Sequence, residues 1–200
     1  MNIVHNKMPK IIIDAQMMIL DTLRDHIARE GWAALNIRCL AKRCHIAPGT
    51  VYNYFPSREA ILAAVISRDW KNAEEKIANR FYATEGVGGD PAFQALERLR
   101  FLYETLSGFM AVYRKVWVES PEHLGKEAWE RGEQGKQAFR RRMENFVKRA
   151  LADTEINKSI DRDFLIAFLA RSIIHWSGEA EVDFSRIRPV IAVLLTEKKE

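Results

Sequence analysis

Between Asn36 and Glu59 the chain reads NIRCLAKRCHIAPGTVYNYFPSRE, and this stretch limits the possible folds more than any other because helix starts crowd into it. Asn36 is suited to accept a backbone N–H bond as an N-cap, and Ile37, Leu40, Ala41 and Cys44 follow at spacings that give a helix one buried face. Arg38, Lys42 and Arg43 are left on the wet side of that helix. Pro48-Gly49 then restarts the chain, with the proline pre-set for the first turn of a new helix. The segment Thr50 to Tyr54 is too short to hold itself together, so neighbours must support it and its use is to present side chains. Ser57 is placed to cap a further helix. Two short helices joined by a tight turn have the form that enters a DNA groove.

The same residues carry a family likeness. Gly31, Ile37, Leu40-Ala41, Ile46, Thr50, Tyr52, Phe55, Ser57-Arg58 and Ile61 fall in register with the DNA-binding domain of TetR-type transcriptional regulators, which the chain resembles without a gap from about Ile19 to Leu62. The likeness covers the first third of the sequence. One position departs from the pattern: His45 stands where similar proteins have glycine, at the end of a helix where a left-handed backbone is common. His tolerates that conformation better than most residues, so a small local cost and no change of fold are expected.

A helix-turn-helix reads sequence from the start of its second helix and draws much of its affinity from phosphate contacts around it. Pro48, Gly49 and Asn53 are thereby placed toward base edges, with Asn53 able to offer a donor and an acceptor to adenine. Thr50, Tyr52 and Tyr54 offer hydroxyls, and Arg38 and Lys42 offer charge, for the phosphate backbone. Arg58 sits at the first position of the helix that Ser57 caps, where the macrodipole disfavours a cation by a few tenths to about one kcal/mol. A phosphate at that end would reverse the sign, so Arg58 is expected to hold one.

Beyond this stretch the sequence is helical in pattern throughout. Ile13, Met17, Leu20, Leu23 and Ile27 mark a first helix that ends at Gly31, with His26 as a surface residue among its charges and with Trp32 and Leu35 filling the link to the second helix. The helix from Ser57 carries Ile61, Val65, Trp70, Ile77 and Phe81 and is long enough to join a DNA-binding domain at 9–56 to a second domain at 57–200. Gly86, Gly88, Gly89 and Pro91 form a loop. An aromatic-rich helix follows, with Gly108 separating a first apolar group from a second and Ser120-Pro121 stopping it; a long polar helix then runs from Leu124 to Leu151. Arg140-Arg141-Arg142 fans around that helix and reads as a solvated face.

The run from Phe164 to Ala170 is apolar on every side and so must be buried on every side, which one small domain does not achieve alone. With the apolar helix around Ile187, Val190, Ile191, Leu194 and Leu195, it predicts a homodimer formed through 161–195, the arrangement that the family likeness also implies. Phe101, Phe109, Tyr113, Trp117, Trp129, Phe139 and Met143 put enough large side chains into one set of helices to surround an apolar or aromatic ligand. Arg171 and His175, one turn apart, are the polar groups that could stand beside it, or else an interface pair satisfied by a partner.

The bulk composition limits the alternatives. A chain of 200 residues with 48% hydrophobic and 29% charged residues is an ordinary globular one, and its net charge of +4 permits nucleic-acid binding without requiring it. No run of apolar residues is long enough to span a membrane, and MNIVHNKMPKIII does not read as a signal segment, so a cytoplasmic protein is expected. Cys39 and Cys44 point to different sides of one helix, which leaves no disulfide and no metal site. His5, His26, His45, His123 and His175 are scattered and no catalytic motif occurs, so neither an enzyme nor a cofactor is expected. A helical small-molecule enzyme or a protein adaptor is the alternative, and it gives no reason for Thr-Val-Tyr-Asn-Tyr on a short helix. The expected protein is all-α: a three-helix helix-turn-helix domain and a helical ligand-binding and dimerisation domain. The resemblance implies that it acts as a repressor, and that a small molecule releases it from a palindromic duplex operator.

Overall fold

The computed structural model describes residues 15–84, 86, 88–119 and 126–195, leaving aside the side chains at 115, 117–119 and 126–133. Every regular element in it is an α-helix: α1 (Ala15–Glu30), α2 (Ile37–Arg43), α3 (Pro48–Tyr54), α4 (Arg58–Tyr82), α5 (Pro91–Glu119), α6 (Lys126–Ala150), α7 (Arg162–Ser177) and α8 (Phe184–Leu195). Two compact units divide inside α4, the first ending at Arg68 and the second beginning at Asp69. None of the described helices is long and apolar enough to cross a membrane.

In the first unit, Ile19, Leu23 and Ile27 of α1 are fully buried, as are Ala41, Val51, Ile61 and Val65 from the helices around it. Local chemistry fixes each boundary. Gly31 takes φ 84° and its N–H donates to the Ile27 carbonyl at 3.1 Å, which ends α1 in a left-handed cap. Asn36 accepts from the Arg38 N–H at 2.8 Å and starts α2 as expected. At the other end of α2, His45 has φ 53°, its N–H donates to the Lys42 carbonyl at 3.2 Å, and the Ile46 N–H donates to the Ala41 carbonyl at 3.0 Å. These paired bonds are a Schellman cap, and a residue other than glycine occupies its left-handed position. Ser57 caps α4 by accepting from the Ala60 N–H at 3.1 Å.

The second unit packs α5 against α6, α7 and α8, and α6 against α7, around Leu99, Leu102, Leu106, Met143, Val147 and Ile173. Buried polar groups tie its helix ends. The Arg98 guanidinium, 4% exposed, donates to the Thr84 carbonyl at 2.8 Å just past the end of α4. The Tyr103 hydroxyl donates to the Val182 carbonyl at 2.6 Å in the link between α7 and α8. Asp161 caps α7 by accepting from the Phe164 N–H at 2.7 Å.

Helix α5 runs unbroken through Gly108, since a single glycine costs a long helix only about 1 kcal/mol. One reading of the sequence needs correction here. His26 is buried, at 6% exposure, because α2 covers the side of α1 that carries it. Within the chain the apolar run of α7 is covered on one side, as much as one small domain is expected to cover: Leu165, Ile166 and Leu169 are buried, whereas Phe164 is 68% and Phe168 45% exposed.

Candidate nucleic-acid interface

Helix α3 starts at Pro48 with Ala47 as an N-cap that offers no side-chain bond, so it depends on packing for its stability. Val51, fully buried, and Phe55, 4% exposed, anchor it one turn apart. Pro48 and Tyr52, and likewise Gly49 and Asn53, are also one turn apart, and all four are exposed. Thr50 and Tyr54 lie between the two faces and are half-buried. Arg38 and Lys42 of α2 are exposed in the same unit. Of the residues expected to meet DNA, the structure therefore gathers six on open surface and leaves Thr50, Tyr54 and Arg58 partly withdrawn.

Arg58 departs furthest from expectation. Its guanidinium lies 4.2 Å from the centre of the Trp32 ring and donates through Nη2 to the carbonyls of Trp32 and, at 3.4 Å, Ala33. Its Nε is buried with no partner among the described residues. The guanidinium expected to hold a phosphate is, in this structure, engaged by the protein's own backbone.

Sequence reasoning also missed a polar seam between α1 and α2. The Glu30 carboxylate lies 2.7 Å from Arg43 Nη2 and 3.3 Å from His26 Nδ1, and Arg43 Nη1 is 3.4 Å from the same nitrogen. The hydrogen bond from Arg43, and after it the charge of His26, hold the Glu30 carboxyl below its ordinary range; Glu30 in turn raises the already high pKa of Arg43. The one available signal was the i,i+4 pair His26 and Glu30, which does not show that α2 brings a third member. Cys44 is buried with its thiol 3.3 Å from Thr22 Oγ1, and Cys39 is exposed.

The residues expected around a ligand lie in the second unit. Tyr113 and Met143 are fully buried, and Phe101, Phe109 and Phe139 are partly buried against the core. The rings of Phe109 and Phe139 meet Trp70 edge-on, with centroids 5.4 and 4.8 Å away, and Phe109 lies 5.2 Å from Tyr113. The Tyr113 hydroxyl donates to Asp69 at 2.7 Å. Trp70 Nε1 is buried without a partner among the described residues, a feature the sequence does not show. The side chains of Trp117 and Trp129, and all of Ser120, Pro121 and His123, lie outside the described residues. Arg171 and His175 are exposed on α7 and do not join the rings, because the buried stripe of that helix passes through Leu165, Leu169 and Ile173 instead.

Comparison with known proteins agrees with this geometry. Residues 19–65 match the family model described as bacterial regulatory proteins, tetR family. The chain is 27% identical over 93 residues to the uncharacterized HTH-type transcriptional regulator YuxN of Bacillus subtilis, which is 46% of this chain and 31% of that protein. It is 31% identical over 101 residues to the HTH-type transcriptional repressor KstR of Mycobacterium tuberculosis, 50% of this chain and 39% of that one. These matches span well under half the length of either relative. Over the whole fold, the regulator FadR of Bacillus subtilis, solved with stearoyl-CoA, superposes with a TM-score of 0.62 at 16% identity, covering 90% of this chain and 96% of that one. A TetR/AcrR-family regulator of Thermobifida fusca gives 0.56 at 18% identity, covering 94% and 99%.

Proposed function

We propose that this chain, whose N-terminal unit is a DNA-binding domain of the TetR type, is a homodimeric transcriptional repressor released from a palindromic operator by a small apolar or aromatic molecule. The observation that carries the reading is Gly49. Glycine is less favourable than alanine in a helix, by up to about 1 kcal/mol in a helix interior, and a Cβ built at Gly49, the second residue of α3, would meet nothing among the described residues within 4 Å. Packing among those residues gives no reason for it. A duplex lying against the exposed Pro48, Gly49, Tyr52 and Asn53 does, because the absent side chain lets the helix approach base edges that Asn53 then reads.

The second unit supplies the other two elements of the proposal. Phe164 and Phe168 of α7 and Val190 and Val193 of α8 are exposed, and a groove of about 370 Å³ between these helices is lined by Phe168, Trp176, Ile187, Val190 and Leu194. A second copy placed about a twofold axis would cover this surface with the same surface and form a four-helix contact. The ring cluster around Trp70 favours an apolar ligand. The unpartnered indole N–H there, whose burial costs about 1–3 kcal/mol, favours one that carries a hydrogen-bond acceptor. Such a ligand acts by favouring a conformation in which the two reading units no longer match successive major grooves, so ligand and operator oppose one another to the same degree.

The experiment that tests the reading is selection of a genomic duplex library on the full-length protein, followed by affinity measurements across a salt series. A recovered palindromic site, bound with a steep salt dependence, is the expected result. Compounds that raise the thermal stability of the free protein are then expected to weaken binding at that site. Absence of salt-dependent duplex binding would reject the function.

A further inference from the structure

We infer that Arg58 is a positioning residue, a clamp across the helix-turn-helix that sets affinity for a specific site through the placement of α2 and α3, and not a neutraliser of phosphate charge. The inference rests on the DNA-binding reading above. Its geometry begins with where the side chain stands in the chain. Arg58 opens α4, three residues beyond Phe55, the C-cap of α3. Its guanidinium reaches back to the carbonyls of Trp32 and Ala33, in the turn that leads to Asn36, the N-cap of α2. The Trp32 carbonyl also accepts from the Leu35 N–H at 3.0 Å, so Arg58 binds the closed form of that turn. One side chain therefore joins the entry of α2 to the exit of α3, the two ends of the reading motif.

The contacts also explain how a cation is tolerated at the first position of a helix, where the macrodipole opposes it. Two carbonyl oxygens and the face of the Trp32 ring surround the charge with negative potential. The guanidinium stands over the indole while one of its nitrogens, Nη2, donates to both carbonyls. A lysine ammonium could reach the carbonyls, but it is compact and strongly hydrated and lacks the planar, weakly hydrated group that suits the ring face. A phosphate contact is different in kind, since lysine serves there as a point charge.

That difference makes Arg58→Lys the discriminating variant, with Arg58→Ala beside it. Full-length wild type and both variants are titrated with the operator recovered from the library and with a random duplex of equal length, each across a salt series. Amide hydrogen exchange is followed in the turn from Ala33 to Asn36. Both variants are expected to lose about tenfold in affinity for the operator, to keep wild-type affinity for the random duplex and the wild-type salt slope, and to exchange faster in that turn. A merely destabilised protein would lose active fraction without losing the preference of the folded fraction for the operator. If Arg58→Lys binds like wild type while Arg58→Ala weakens both duplexes equally and lowers the slope by about one per half-site, Arg58 is a phosphate contact and the inference is overturned. Variants indistinguishable from wild type in every readout overturn it as well. Should Arg58→Ala fail to fold, Arg58→Lys keeps the charge and the aliphatic stem and carries the test. If the wild type binds no duplex at all, the DNA-binding reading fails separately, and the exchange rates alone decide whether the clamp exists.

Discussion

Helices α3 and α7 both leave side chains uncovered, and the two sets differ in kind. On α3 the open face is Pro48, Gly49, Tyr52 and Asn53, in which one aromatic ring, itself carrying a hydroxyl, stands among small or polar groups. On α7 it is Phe164, Phe168 and Trp176, whose exposure costs free energy for as long as nothing lies on them. A surface of the first kind remains stable in the free protein and is suited to a partner that comes and goes, contacted through hydrogen bonds and salt-sensitive charge. A surface of the second kind is suited to a lasting, dry contact. The difference argues for a protein that is always paired through one surface and conditionally bound through the other.

The largest expected effect breaks the dry side. Phe168→Glu would place a carboxylate in the proposed dimer contact, at a desolvation cost of several kcal/mol per buried ion. Sedimentation should show a monomer or an aggregate, and operator affinity should collapse with it; a dimeric, operator-binding variant would remove α7 from the interface. A smaller effect is expected on the wet side. Asn53→Ala should cost about 1–3 kcal/mol at the operator and relax selectivity at one position in each half-site, with the salt slope almost unchanged. A lowered slope with intact selectivity would mean that Asn53 meets phosphate and that α3 lies differently in the groove.

The two units were not equally legible in the sequence. Asn36, Gly31, Pro48 and Ser57 each act within a turn of chain, through caps and pre-set dihedrals, so the helix boundaries of the first unit could be read from spacing alone. The alternation of Val51 and Phe55 with Pro48, Gly49, Tyr52 and Asn53 likewise gave the open face of α3. Contacts between distant residues were not readable in this way. Arg58 meets Trp32 and Arg43 meets Glu30 only because the helices pack as they do, and no local pattern records it. Which side of α7 carries Arg171 and His175 was not readable for the opposite reason: a helix apolar all round gives no phase from which to tell its inner stripe from its outer one.

A third expected effect is smaller and lies beneath the wet surface. His45 holds the left-handed position of the α2 cap, a conformation that costs a residue with a Cβ about 1–2 kcal/mol. His45→Gly removes that strain but adds freedom to the unfolded chain, which returns about 0.4–1 kcal/mol. A net gain between zero and about 1.6 kcal/mol is expected, seen as a higher urea midpoint with an unchanged denaturant slope. A loss of stability would show that the imidazole makes contacts worth more than the strain.

The smallest expected effect concerns the seam that joins α1 to α2, and it is a dependence on pH. Glu30 accepts a 2.7 Å bond from Arg43, and this bond holds its carboxyl below the ordinary glutamate value of 4.5. The folded state thus binds a proton at Glu30 less readily than the unfolded state does. The contribution of the pair is complete above the ordinary glutamate range and is lost as pH falls through the lowered folded value. Because both partners are largely exposed, with side-chain exposures of 48% and 44%, the contribution is also screened by salt. Glu30→Gln keeps an acceptor for Arg43 while removing the titration. It should be slightly less stable than wild type at neutral pH and low salt, and the gap should close both in acid and in high salt. Thermal unfolding of the two proteins from neutral to acid pH measures that gap. If it stays constant down the whole range, the bond to Arg43 acts through packing alone, and α1 and α2 are held together in the same way as the rest of the unit's core.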